Sequence, residues 1–203
     1  MAIQILGGCI PGTKFKRFSE DIRFPKLLQK LLGDNYEIIE EGLYARTLIS
    51  VYQRPNKEGR NGNTYLIPCL YSHDPLDLVI LMLGTTELKE EFHNSPEDIG
   101  NMLDEHYAKI ILKTKSQDKN TYPKLLIIAP PIIDDQIASP KYLNGAEKSR
   151  LLNKIYSKIA KTNNCEFVDA SQLGVGSDGV HMTKESHIKL AEILASKIKL
   201  MKF

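Results

Sequence analysis

With 203 residues, 42% of them hydrophobic and 26% charged, the chain has the composition of a soluble globular protein. That length predicts a single domain over residues 1–203. Basic residues number 27 and acidic residues 25, and no basic stripe is interleaved with aromatics, so nucleic acid is not expected as a partner. The first residues lack the basic segment and apolar run of a secretory leader. No apolar stretch reaches the ~18 residues of a membrane span. Cys9, Cys69 and Cys165 are odd in number and far apart, which predicts reduced thiols and a cytoplasmic protein that does not engage a membrane.

In chain order, residues 3–6 open as a short apolar strand, and a helix over 24–32 ends at Gly33. A second strand is predicted at 36–40. Residues 48–73 form a long connection without clear periodicity, rich in turn residues around Arg54-Pro55-Asn56. Strands at 78–83 and 124–129 are continuously apolar, as strands covered on both faces are. Between them Ser95-Pro96-Glu97-Asp98 starts a helix running to about residue 114, with Ser as N-cap and Pro at the first helical position. A second long connection, 130–144, precedes a helix at 146–161, a short strand at 167–168 and a helix at 184–199 capped by Thr183. All five strands are read as buried, and both long connections are expected to wall a pocket. Strands alternating with helices predict a three-layer α/β/α fold around a parallel five-stranded sheet.

Gly7-Gly8-Cys9, Ala45, Thr86 and Asp178-Gly179-Val180-His181 each lie past a predicted strand. In parallel sheets ligands bind beyond the C-terminal strand ends, so these residues could converge on one edge. An Asp three residues before a His, across a glycine turn, can hold the imidazole tautomer and leave Nε2 to take a proton from a nucleophile. The same string also reads as an ordinary turn beside a structural histidine. Cys9 reads either as a thiolate nucleophile or as a small buried apolar residue. Cys69 and Cys165 read as structural. His73, His93, His106 and His187 show no metal-ligand spacing and are expected at the surface or behind the site. Gly7-Gly8-x-x-x-Gly12 is neither a dinucleotide-binding fingerprint nor a P-loop.

The order of those four segments resembles the SGNH (GDSL-type) hydrolases. Ile38 to Thr47, Asn61-Gly62 with Tyr65-Leu66, Leu76 to Thr85, Asp21-Ile22-Arg23 and Thr121-Tyr122-Pro123-Lys124 are similar to the arylesterase/acyltransferase branch. The resemblance implies a flavodoxin-like sheet and a Cys9-His181-Asp178 triad. It further implies an oxyanion hole from the N–H groups of Cys9 and Ala45 with Thr86. A small-molecule ester substrate, acyl transfer to alcohols, and no metal or organic cofactor follow from it, and a homo-oligomer is compatible with it. Two segments depart from the family pattern: G-D-S is Gly7-Gly8-Cys9, and G-x-N-D is Gly84-Thr85-Thr86-Glu87. Those departures leave two readings open, an esterase and a catalytically degenerate protein that binds an acyl or ester ligand.

Overall fold

A computed structural model describes residues 1–7 and 17–203. Cys9, the expected nucleophile, lies outside the described residues. Five strands, β1 (Ala2–Gly7), β2 (Glu37–Gly42), β3 (Leu78–Met82), β4 (Lys124–Ala129) and β5 (Glu166–Asp169), form one parallel sheet in the order β2-β1-β3-β4-β5. Side chains alternate across the sheet with a period of two. Ile3, Ile5, Leu78, Ile80, Leu126 and Ile128 enter one core, whereas Leu6, Val79, Leu81, Leu125 and Ile127 enter the other. Only a strand with helices on both faces needs apolar residues at successive positions, which explains the continuous runs in β3 and β4.

The first core is closed by α1 (Phe24–Leu32) and α6 (Lys184–Leu200). The second is closed by α2 (Gly62–Ser72), α3 (Pro96–Leu103), α4 (Lys109–Lys113) and α5 (Gly145–Thr162). Helix ends follow the sequence signals. Gly33 closes α1 at φ 78°, Thr183 accepts from the Ser186 N–H at the start of α6, and Ser95 and Asp98 form a reciprocal capping box on α3.

Three expectations are corrected. The run expected as one helix from Ser95 to about 114 is α3 and α4 joined by a π-helical stretch over Asp104–Ala108. β2 and β5 are edge strands rather than buried ones, and each buries a single residue, Ile38 and Val168. The connection at 48–73 contains α2, whose helical pattern the sequence obscures. Pro68 lies inside the helix, and apolar residues occupy both sides: Leu66, Cys69 and Leu70 inward, Tyr65, Ile67 and Tyr71 outward. Among the described residues no helix is long and apolar enough to cross a membrane.

Candidate active site

The C-terminal ends of β1, β2 and β3 finish level, with Gly7 beside both Gly42 and Met82. Segments leaving these ends make unusual turns. After β2, the Arg46 N–H donates to the Leu43 carbonyl, and Ala45 adopts φ 58° while 4% exposed. A left-handed non-glycine residue costs about 1–2 kcal/mol, a cost that a buried turn must offset. After β3, Gly84 sits at φ 119°. A Cβ there would lie 2.0 Å from the Tyr156 hydroxyl oxygen, so only glycine fits. That hydroxyl donates to the Leu83 carbonyl at 2.9 Å and fixes where the next turn, Thr85–Leu88, begins.

Thr86 is buried in this turn and lines a pocket with Arg46, Gly84, Tyr142 and His181. Glu87 is fully buried and points elsewhere. Its Oε1 accepts the backbone N–H groups of Leu48 (2.5 Å), Ile49 (3.0 Å) and Ser50 (3.3 Å), and its Oε2 accepts from Asn94 Nδ2 at 3.0 Å. The carboxylate thereby ties the turn after β3 to the segment that follows Ala45. Glu87 clamps two site segments together, and the longer side chain reaches three donors at once.

Asp178 and His181, the latter lining the same pocket, share one turn. Asp178 Oδ1 accepts the N–H groups of Val180 (3.0 Å) and His181 (2.9 Å), while Oδ2 meets His181 Nδ1. Burial would raise the Asp178 pKa, but the His181 ring and those two N–H groups outweigh it and hold the carboxyl below its usual range. The pairing leaves His181 Nε2 free of the carboxylate, with the ring about one quarter exposed. Gly179 bends the turn at φ 70°, where a Cβ would lie 2.6 Å from the Asp134 carbonyl oxygen. The Asp134 N–H donates back to the Gly179 carbonyl. The 130–144 connection therefore supports the turn and also supplies Pro131 and Tyr142 to the pocket. No residue of 48–73 lines that pocket, contrary to expectation.

Thr86 and His181 thus meet around one pocket, with Asp178 behind His181 and Ala45 one residue from Arg46. His187, expected at the surface or behind the site, is 2% exposed and also lines the pocket. Its Nδ1 accepts the Phe24 N–H at 3.3 Å, and its ring stacks on Phe24 and meets Phe18 edge-on. Burial, reinforced by nearby His181, pushes its pKa down to about 4. Its position on α6, four residues after Thr183, was the available signal: it falls on the same face as the buried Leu190 and Leu194.

The aryl esterase of M. smegmatis shares this architecture with a TM-score of 0.86 and 32% identity, covering 98% of each chain. Est24, a carbohydrate acetylesterase from Sinorhizobium meliloti, aligns with a TM-score of 0.87 and 34% identity, again over 98% of each chain. An acetylxylan esterase of Xylanibacter ruminicola is 26% identical over 94% of this chain, which spans 42% of that longer protein. The model of the GDSL-like lipase/acylhydrolase family matches residues 12–194, beginning just after Cys9. A match over that much of the chain, together with these full-length structural relatives, makes the protein a member of the GDSL-like lipase/acylhydrolase family.

Proposed function

We propose that the chain hydrolyses small carboxylic esters, acetylated carbohydrates and aryl acetates foremost, by covalent catalysis. The observation that carries this reading is the Asp178–His181 pair, whose imidazole lines a pocket at the strand ends together with Thr86. Cys9 Sγ attacks the acyl carbon as its proton passes to His181 Nε2. Asp178 holds Nδ1 and stabilises the imidazolium. The N–H groups of Cys9 and Ala45, with the Thr86 hydroxyl, receive the developing oxyanion; each such donor is worth ~10²–10³ in rate. Collapse breaks the ester C–O bond, and His181 returns the proton to the departing alcohol. Water, or a second alcohol, then attacks the thioester with His181 as base, giving hydrolysis or acyl transfer. The relatives' activities, aryl esterase and carbohydrate acetylesterase, support the substrate class.

A second reading rests on Cys9 and Thr86 in place of the family's serine and asparagine: a pocket that binds an ester and turns it over inefficiently. One assay separates the two. Turnover of p-nitrophenyl acetate by wild type, Cys9→Ser and His181→Ala is followed with intact-mass analysis for a +42 Da acetyl adduct, about the mass gained when acetyl replaces hydrogen. The esterase reading expects an adduct on Cys9 and a rate that falls to background in His181→Ala. Equal, background-level rates in all three proteins establish the binding reading.

A further inference from the structure

None of Gln4 of β1, Glu41 of β2, and Tyr65, Cys69 and His73 of α2 or its C-cap lines the pocket, and these five side chains meet one another. Cys69 and His73 are four residues apart and share a helix face, which brings both side chains over the end of β2. Sγ of Cys69, a ring nitrogen of His73 and a carboxylate oxygen of Glu41 all lie within 4.8 Å of one another. His73 Nε2 is 2.9 Å from Glu41 Oε1, and the Tyr65 hydroxyl donates to Glu41 Oε2 at 2.8 Å. Gln4 is fully buried; its Nε2 donates to Cys69 Sγ at 2.9 Å, and its Oε1 has no hydrogen-bond partner among the described residues.

We propose that Glu41, Cys69 and His73 form a binding site for a borderline divalent transition metal of the Zn²⁺ type, distinct from the ester pocket. One thiolate, one imidazole and one carboxylate suit tetrahedral Zn²⁺ or Co²⁺, whereas Mg²⁺ and Ca²⁺ call for oxygen donors. Metal–ligand distances of about 2.0–2.3 Å require the three atoms to draw together by roughly 1 Å at the widest. His73 and Glu41 are only partly buried and can supply that movement. Outer partners are already in place: Tyr65 holds Oε2 and leaves Oε1 to the metal, and Gln4 donates to the sulfur. The orphan Gln4 Oε1, or a water, supplies the fourth donor.

The step balances. The metal displaces the Cys69 thiol proton, which leaves to solvent as a metal–sulfur bond forms. With Nε2 on the metal, the His73 ring keeps one proton, on Nδ1. Two positive charges meet the Glu41 carboxylate and the Cys69 thiolate, so the loaded site is neutral beside the Arg46 guanidinium that stacks on Tyr65. Spacing alone could not reveal the trio, because Glu41 arrives from a strand 28 residues before Cys69.

The test titrates chelator-treated full-length protein with Co²⁺, then displaces it with Zn²⁺. The expected result is one equivalent bound, with the intense visible bands of tetrahedral Co²⁺ and a near-ultraviolet thiolate-to-metal band. The thiolate band should persist in a Cys9→Ser/Cys165→Ser protein and vanish in Cys69→Ser. His73→Ala, at a partly exposed position, should stay folded by circular dichroism and lose tetrahedral binding. Tyr65→Phe should weaken affinity by ~10-fold, as loss of an outer partner does. Absence of stoichiometric binding overturns the proposal, as does a spectrum without a thiolate band or full binding by folded His73→Ala.

Discussion

Removing the Glu87 carboxylate should cost more stability than any other single deletion of a polar group near the pocket. Its Oε1 takes three backbone donors, and the nearest, Leu48 N–H, belongs to a residue with no exposed surface. Glu87→Ala leaves that donor buried without a partner, at about 1–3 kcal/mol. Ile49 and Ser50 are partly exposed, so water recovers some of their loss, and Asn94 Nδ2 loses a further acceptor. Together these give about 3–5 kcal/mol. Glu87→Gln keeps an acceptor oxygen for the three donors and surrenders the charge, for about 1–2 kcal/mol. Urea unfolding followed by circular dichroism measures both; the midpoint should drop in that order while the slope stays at the wild-type value. A Glu87→Ala loss below about 1 kcal/mol at unchanged slope would refute the claim that this carboxylate clamps the two segments.

Gly84→Ala should destabilise the fold by about 3 kcal/mol or more, read as a lowered thermal midpoint, because the left-handed backbone and the contact with the Tyr156 hydroxyl oppose any Cβ together. Tyr156→Phe should cost only about 1–2 kcal/mol, the price of an unpaired Leu83 carbonyl. Acid should weaken the fold through His187, whose pKa is about 4 when folded and returns to about 6.5 when unfolded. The unfolded chain then binds the extra proton, so stability is intact above about pH 6.5 and is lost towards pH 4, by up to about 3 kcal/mol. His187→Gln, which offers Phe24 an acceptor, should flatten that part of the profile between pH 4 and 7; an unchanged slope refutes it. Asp178→Asn should leave the unfolding midpoint close to wild type, since Oδ1 can still accept the two N–H groups, and lower ester turnover by ~10³–10⁴.

Where the sequence was legible, one physical constraint acted alone. Burial on both faces leaves β3 and β4 no choice but continuous apolar residues, and a Ser-Pro-Glu-Asp start leaves α3 one N-cap. The order of residues past the strands likewise pointed to one edge of the sheet, where Thr86 and His181 meet. It became illegible where constraints competed. α2 must pack Leu66 and Leu70 inward while carrying Pro68 and outward Tyr65 and Tyr71, so no single stripe survives. Glu87 resembled a longer version of a familiar acid, yet its meaning depends on three donors nearly forty residues earlier in the chain. His187 hid for a related reason, because its acceptor role serves an N–H 163 residues away.

Strain around the pocket argues about which part of this site is scaffold and which is chemistry. Ala45, Gly84 and Gly179 all hold positive φ, and at both glycines a neighbouring atom closes the space a Cβ would need. Such turns need exact backbone paths whatever ligand is bound, so they speak for a shaped site and not for a reaction. Asp178 says more. Capping the turn occupies one carboxylate oxygen, through the N–H groups of Val180 and His181. The second oxygen meets His181 Nδ1, a contact the turn does not require and one that fixes which imidazole nitrogen faces away. A purely structural Asp-Gly turn has no use for a chosen tautomer, whereas proton transfer at Nε2 depends on it. The geometry of that second oxygen is therefore the strongest physical ground for preferring catalysis over binding alone.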